Sequence, residues 1–67
     1  MKLLINGKLA LKGDIISDSK GNKAVLTSWQ APHKINSSGK VYVKWEDGSV
    51  QSEYYPSVFN GEFVKED

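Results

Sequence analysis

The chain has 67 residues, which fits one domain spanning residues 1–67, and at this length only about 60% of the unfolded surface is buried on folding. It contains no cysteine, which excludes a disulfide framework and a thiolate metal site. All nine basic residues are lysines and the net charge is +1, which argues against a strongly basic nucleic-acid-binding protein.

The N-terminal apolar run Met1–Ile5 ends at Asn6-Gly7, well short of the about 7–15 apolar residues of a secretion signal. No later segment approaches the about 20 apolar residues of a membrane span, so we expect a cytoplasmic protein with no membrane partner. The stretch Leu3–Leu11 either forms a small hairpin about Asn6-Gly7 or lies along an edge of the fold.

Short, regularly spaced turn signals predict strands rather than helices through the rest of the chain. Residues 13–18 and 23–29 are expected to form two strands around a turn at Ser19–Asn22. Residues 31–39 are expected to form a long irregular loop.

The clearest element is a β-hairpin over residues 40–55. Asp47-Gly48 lies between two alternating runs and predicts a type I′ turn centred on these two residues. This turn sets Val41 opposite Tyr54 and sorts the hairpin into two faces. The expected core face contains Val41, Val43, Trp45, Val50, Ser52 and Tyr54. The expected polar face contains Tyr42, Lys44, Glu46, Ser49, Gln51 and Glu53.

The segment after the hairpin predicts a single 3₁₀ turn and a short closing strand. Pro56 begins the turn within residues 55–59, and Val58 and Phe59 are expected to enter the core. Residues 62–65 are expected to form the last strand.

The order of these elements resembles the SH3-like barrel. Residues 40–49 (KVYVKWEDGS) are similar to the V-x-W-x-D-G-S hairpin of Tudor-type domains, and Pro56-Ser57 lies where SH3 domains carry Pro-Ser before their last strand. The resemblance implies an all-β fold, a small SH3-like barrel of about five antiparallel strands with one 3₁₀ turn near residues 56–59.

Residues 13–64 also resemble short proteins encoded by bacteriophage and prophage genomes. The shared segments are residues 28–34 (SWQAPHK), 37–43 (SSGKVYV) and 53–59 (EYYPSVF). This resemblance implies a phage or mobile-element origin and no particular mechanism.

The sequence offers no complete set of catalytic or metal-binding residues. His33 is the only histidine, and the glycines stand singly at turns instead of forming a phosphate-binding loop. We therefore expect no catalytic residue, no cofactor and no metal. A remote enzymatic alternative is an oligomeric type II dihydrofolate reductase, because residues 48–51 are similar to the start of its pore-lining run. Ser52 and Glu53 depart from that pattern.

We predict a non-enzymatic interaction module that binds a protein partner through an aromatic and basic surface. The predicted contact residues are Trp29, His33, Lys34, Tyr42, Lys44 and Tyr55. One alternative is an SH3-type peptide groove with the aromatics Trp29, Tyr42, Trp45 and Tyr55, and a second is a methyl-lysine cage built from Trp29, Tyr55 and Glu53. Another is a nucleic-acid surface that combines the exposed aromatics with Lys34, Lys40 and Lys44. Self-association through an edge strand is a further alternative.

Overall fold

The computed structural model describes residues 1–33, 38–48 and 50–65, and these form an all-β fold with one 3₁₀ turn. The strands are β1 (Lys2–Ile5), β2 (Lys8–Leu9), β3 (Ile15–Ser17), β4 (Lys23–Gln30), β5 (Lys40–Trp45), β6 (Gln51–Tyr54) and β7 (Gly61–Val64), and the 3₁₀ turn is Pro56–Phe59. They build two antiparallel sheets, ordered β2-β1-β7 and β3-β4-β5-β6.

The all-β class and the 3₁₀ turn are confirmed, but the described residues form seven strands instead of about five. The two additional strands, β1 and β2, come from the N-terminal stretch, which forms its own hairpin. Within the described residues, no backbone ladder joins the two sheets into a closed barrel.

The N-terminal hairpin is the first of the two arrangements expected for this stretch. Asn6 and Gly7 have φ values of 53° and 79°, and Ile5 pairs with Lys8, which is the geometry of a two-residue type I′ turn. On its other side β1 pairs with β7, so that β1 is the central strand of its sheet.

The turn between β3 and β4 lies where the sequence predicts it and is organised by Asp18. The backbone N–H groups of Lys20 and Asn22 each donate to Asp18 Oδ1 at 2.9 Å, and the Asn22 side-chain amide donates to Oδ2 at 3.1 Å. Desolvation raises the pKa of Asp18, but the hydrogen bonds from Asn22 and Lys20 together lower it by a larger amount. The net pKa of Asp18 therefore lies below the ordinary aspartate value.

This arrangement predicts a pH-dependent contribution of Asp18 to stability. Because the folded pKa is lowered, the contribution is present above about pH 4 and is lost as the pH falls through the folded pKa. Urea unfolding at pH 7 should therefore show Asp18→Ala to be less stable than the wild type, and the difference should shrink at pH 2.5. An equal difference at both pH values would contradict the prediction.

The register of the β5–β6 hairpin is confirmed, but the predicted type I′ turn is wrong. Val41 pairs with Tyr54 as expected. The Gly48 N–H donates to the Trp45 carbonyl oxygen at 3.1 Å, which centres the turn one residue earlier, and Asp47 is not among the described residues with positive φ. Ser49 lies outside the described residues. Since β6 begins only at Gln51, Val50 precedes the ladder and is 71% exposed instead of facing the core.

The core lies between the two sheets, and the 3₁₀ turn supplies its largest buried side chain. The buried apolar residues are Leu3, Ile5, Ala10, Ile16, Ala24, Leu26, Val41, Val43 and Phe59. Phe59 packs against Trp45 and Tyr54, with ring centroids 5.7 and 5.8 Å away. The Trp45 indole N–H donates to the Tyr54 hydroxyl oxygen at 3.0 Å, so this polar atom is satisfied within the cluster.

Val58 does not enter the core as predicted. A 3₁₀ turn has about three residues per turn, so residues three apart share a side. Pro56 and Phe59 are accordingly both buried, whereas Val58 points elsewhere and is 38% exposed.

Candidate binding surface

Alternation along β5 places three polar residues on the outer side of the four-stranded sheet. Val41 and Val43 are fully buried, so Lys40, Tyr42 and Lys44 lie on the opposite face. Tyr42 is half-buried there, on the face that the hairpin register predicts. It therefore has a defined position and is partly accessible to solvent.

A hydrogen-bonded chain connects Tyr42 with the residues after β4. The Tyr42 hydroxyl donates to Gln30 Oε1 at 3.4 Å, and Gln30 Nε2 lies 2.8 Å from His33 Nε2. Because the side-chain oxygen of Gln30 accepts from Tyr42, the side-chain NH₂ group of Gln30 is the donor to His33. The structure thus brings two predicted contact residues, His33 and Tyr42, together through one glutamine.

The next contact on this face is the ion pair between Lys40 and Glu53, whose charged atoms are 2.6 Å apart. Glu53 is the direct cross-strand partner of Tyr42, and Lys40 is that of Gln30. The hydrogen bond to Glu53, followed by its charge, raises the pKa of Lys40 above the ordinary lysine value, and Tyr42 and Tyr55 add smaller contributions.

Tyr55 completes the surface at the end of β6. Its backbone is extended, and its side chain is 62% exposed, whereas the neighbouring Tyr54 packs against the core. Tyr55 and Val58 line a shallow depression of about 240 Å³ together with the Lys40–Glu53 pair. We call the set Gln30, His33, Lys40, Tyr42, Glu53 and Tyr55 the tyrosine face.

Trp29, another predicted contact residue, lies on the other side of the sheet. The pairing of β4 with β5 shifts by one residue between Leu26 and Ser28, which is a β-bulge at Thr27. After the bulge the alternation is reversed, so Trp29 pairs with the buried Val41 and packs against the core. The Thr27 hydroxyl lies 2.9 Å from the Tyr42 carbonyl oxygen.

The remaining predicted contact residues differ in how they relate to the tyrosine face. Lys44 is exposed on the same side of the sheet, two residues beyond Tyr42 and opposite Gln51. Lys34 lies outside the described residues. The structure therefore groups His33, Tyr42 and Tyr55, with Lys44 next to them and Trp29 apart.

Gln30 and Lys40 are the members of the tyrosine face that sequence reasoning did not select as protein-binding residues. Glu53 was expected on the polar face of the hairpin, where it is found. The position of Gln30 depends on the bulge in β4 and on pairing with β5 across the 31–39 segment. No local pattern in the sequence signals that bulge.

Among the described residues, no group of three or more histidine, cysteine, aspartate or glutamate side chains is arranged to hold a metal ion. In the same part of the chain, no helix has the length and apolar character needed to cross a membrane. Comparisons of the chain with protein-family models, with curated proteins and with solved structures found no match. The resemblance to SH3-like barrels and to phage-encoded proteins therefore stays a prediction from the sequence.

Proposed function

We propose that this protein is a non-enzymatic interaction module that binds a protein partner through the tyrosine face. The proposal includes a cytoplasmic location and a phage or mobile-element origin, and these two parts rest on the sequence arguments alone. Lys44 is the adjacent residue most suited to extend the contact area, because it is exposed on the same side of the sheet.

The observation that carries the proposal is the presence of two tyrosines, Tyr42 and Tyr55, next to the Lys40–Glu53 ion pair, whose opposite charges compensate each other. Tyr42 is held by its contact with Gln30, and Tyr55 is mostly exposed next to the Lys40–Glu53 pair. Tyrosine supplies a large contact area with few rotatable bonds, so ordering it in a complex costs little entropy. A polar rim around aromatic anchors is also the composition common in protein interfaces.

The same ion pair favours a protein over a nucleic acid as the partner. Affinity for nucleic acids depends mainly on uncompensated positive charge placed along the phosphate backbone. Lys40, which interacts electrostatically with both tyrosines, already pairs with Glu53. Lys44 alone adds an unpaired positive charge beside Tyr42 in the described part of the chain.

We expect a photo-crosslinking amino acid in place of Tyr55 to capture a defined host protein. The same amino acid in place of Val50, which is similarly exposed but lies at the hairpin turn, is the matched control and should not capture it. Tyr42→Ala should then weaken binding of the isolated partner by at least about tenfold, since removal of a buried interface tyrosine commonly costs that much. Tyr42→Phe, which retains the ring, should weaken binding much less.

Three outcomes would contradict this function. Equal crosslinking from positions 50 and 55 would show that the tyrosine face is not the contact surface. Binding to a mixed-sequence oligonucleotide that falls steeply between 50 and 200 mM salt and is weakened by Lys44→Glu would favour the nucleic-acid alternative. A tetramer by light scattering that oxidises a reduced nicotinamide cofactor would favour the reductase alternative.

A further inference from the structure

The tyrosine face contains one side chain of the type that changes its charge near neutral pH. Histidine ordinarily gains a proton between about pH 8 and about pH 5, whereas carboxylic acids, tyrosine and lysine ordinarily titrate outside this range. His33 is the only histidine of the chain, and it contacts Gln30, which in turn contacts Tyr42. We call these three residues the amide relay, because a side-chain amide stands between the imidazole and the phenol.

The atoms in contact determine the direction of each hydrogen bond in the amide relay. Gln30 Nε2 lies 2.8 Å from His33 Nε2, and the Tyr42 hydroxyl oxygen lies 3.4 Å from Gln30 Oε1. Since an amide nitrogen only donates, His33 Nε2 accepts with its lone pair, and the proton of the neutral ring is on Nδ1. The Tyr42 hydroxyl donates its single proton to Gln30, so this proton is not offered to a partner.

The contact with His33 is the one that sets the orientation of the Gln30 amide. An O–H···O hydrogen bond is ordinarily about 2.5–3.0 Å long, so the contact of Gln30 with Tyr42 at 3.4 Å is the weaker of the two. Gln30 is exposed, which leaves its side chain room to rotate. The amide therefore follows the state of His33 more closely than that of Tyr42.

Protonation of His33 is incompatible with the arrangement in the structure. Both nitrogens of an imidazolium carry protons and neither accepts, so His33 Nε2–H would face the NH₂ group of Gln30, donor against donor. Rotation of the amide by about 180° exchanges its oxygen and nitrogen and removes this conflict. Gln30 Oε1 then accepts from His33, and the Gln30 NH₂ group donates to the Tyr42 hydroxyl oxygen. The hydroxyl proton of Tyr42 is thereby released from Gln30.

The other titratable and charged groups next to the amide relay lie on β5 and β6. Lys40 is the cross-strand partner of Gln30, Glu53 is that of Tyr42, and Tyr55 follows β6. The hydrogen bond to Glu53 and then its charge raise the pKa of Lys40, so Lys40 stays positive throughout this pH range. Glu53 compensates that charge. Among the described residues, no carboxylate lies within ion-pair distance of the imidazole.

We propose that protonation of His33 switches the tyrosine face between two hydrogen-bonding states through rotation of the Gln30 amide. With neutral His33 the Tyr42 hydroxyl offers a partner only its lone pairs, which suits a donor such as a backbone N–H group. With charged His33 the hydroxyl offers its proton, which suits an acceptor. The structure holds the first state, so the matching partner supplies a donor and binds less tightly as the pH falls. This consequence for binding rests on the proposed function, whereas the rotation is a property of the free protein.

The rotation is tested by NMR on the isotope-labelled full chain between about pH 8 and about pH 5. At the higher pH we expect nuclear Overhauser contacts between the NH₂ protons of Gln30 and the His33 ring. At the lower pH we expect contacts from the same NH₂ protons to the Tyr42 ring in their place. The signals of Gln30 and Tyr42 should move with the same midpoint as those of the His33 ring.

Two variants separate the amide relay from a direct effect of the imidazole charge. His33→Gln cannot gain this charge, so the pH-dependent movement of the Tyr42 signals should be lost. Gln30→Met retains the length of the side chain without its polar atoms, so His33 still titrates but the Tyr42 signals no longer follow it. Lys44→Met is the matched control, because Lys44 is exposed on the same side of the sheet and lies outside the relay. It should leave the coupling intact.

The effect on binding is measured with the partner captured from position 55. Its affinity should fall about fivefold between about pH 8 and about pH 5, which is the size expected for one neutral hydrogen bond. The same change of pH should alter its affinity for the His33→Gln variant by less than about twofold.

Three results would overturn the proposal. The first is persistence of the contacts between the Gln30 NH₂ group and the His33 ring at the lower pH. The second is movement of the Tyr42 signals with His33 in the Gln30→Met variant, which would assign the coupling to charge alone. The third is a partner affinity that does not fall with pH. Rotation of Gln30 in the free protein without capture of any partner would support the switch and contradict the proposed function, so the two failures are distinguishable.

Discussion

Phe59→Ala is expected to leave the protein largely unfolded at 25 °C. The Phe59 side chain is 1% exposed and contacts both other rings of the aromatic cluster. Truncating a buried phenylalanine to alanine costs about 3–5 kcal/mol, because the lost transfer free energy adds to that of the cavity. A chain of this length has a total stability of about 3–10 kcal/mol, so in the lower half of that range the substitution removes most or all of it.

Val58→Ala is the matched control for this substitution. It lies in the same 3₁₀ turn but outside the core, and should cost less than about 1 kcal/mol. Urea unfolding followed by tryptophan fluorescence reports both variants, since Trp45 packs against Phe59. Similar losses for Phe59→Ala and Val58→Ala would show that Phe59 does not carry the core in the way described.

Gly39→Ala is expected to be the most disruptive glycine substitution among the described residues. Gly39 has a φ of +71°, a backbone conformation that residues other than glycine rarely adopt. A Cβ atom there would lie 2.6 Å from the ring of Phe63 and 2.8 Å from the carbonyl oxygen of Gln30. Backbone strain and steric overlap together should lower the free energy of unfolding by about 2–5 kcal/mol.

Gly21→Ala separates the two causes of that loss. Gly21 has a similar φ of +86°, but a Cβ atom added there would meet nothing within 4 Å, so this variant measures strain alone, at about 1 kcal/mol. Both variants can be compared by urea unfolding. Equal losses would show that the close approach at Gly39 contributes nothing. Because Gln30 also bonds to Tyr42, we expect Gly39→Ala to shift the NMR signals of the tyrosine face even where the protein stays folded.

Features fixed by a few neighbouring residues were predictable from the sequence. Pro56 and the residues after it indicated the 3₁₀ turn, and the position of Asp47-Gly48 between two alternating runs gave the pairing of Val41 with Tyr54. The type of turn in each hairpin was harder to predict from the sequence. The type I′ geometry occurs at Asn6-Gly7, whereas at Asp47-Gly48, which carries the same kind of signal, it does not.

The composition of the tyrosine face was only partly predictable, because it depends on one β-bulge. If β4 alternated without interruption, Leu26 in the core would place Trp29 on the outer side with Tyr42, as the predicted contact surface assumed. The extra residue at Thr27 reverses this alternation and brings Gln30 to the outer side in its place. A bulge is set by how two strands meet, and neither strand encodes it locally.

The pairing of β1 with β7 determines when the three-stranded sheet can be completed. Lys2 pairs with Val64, and the Asn6 N–H donates to the Asn60 carbonyl oxygen at 3.0 Å, so these contacts join residues from opposite ends of the sequence. Bringing such distant residues together has a larger loop-closure entropy cost than closing either hairpin. The hairpin of β1 and β2 needs only its own turn, whereas β1 gains its second neighbour by closing a loop that contains the whole intervening chain. A high contact order of this kind belongs to β proteins that fold in milliseconds to seconds.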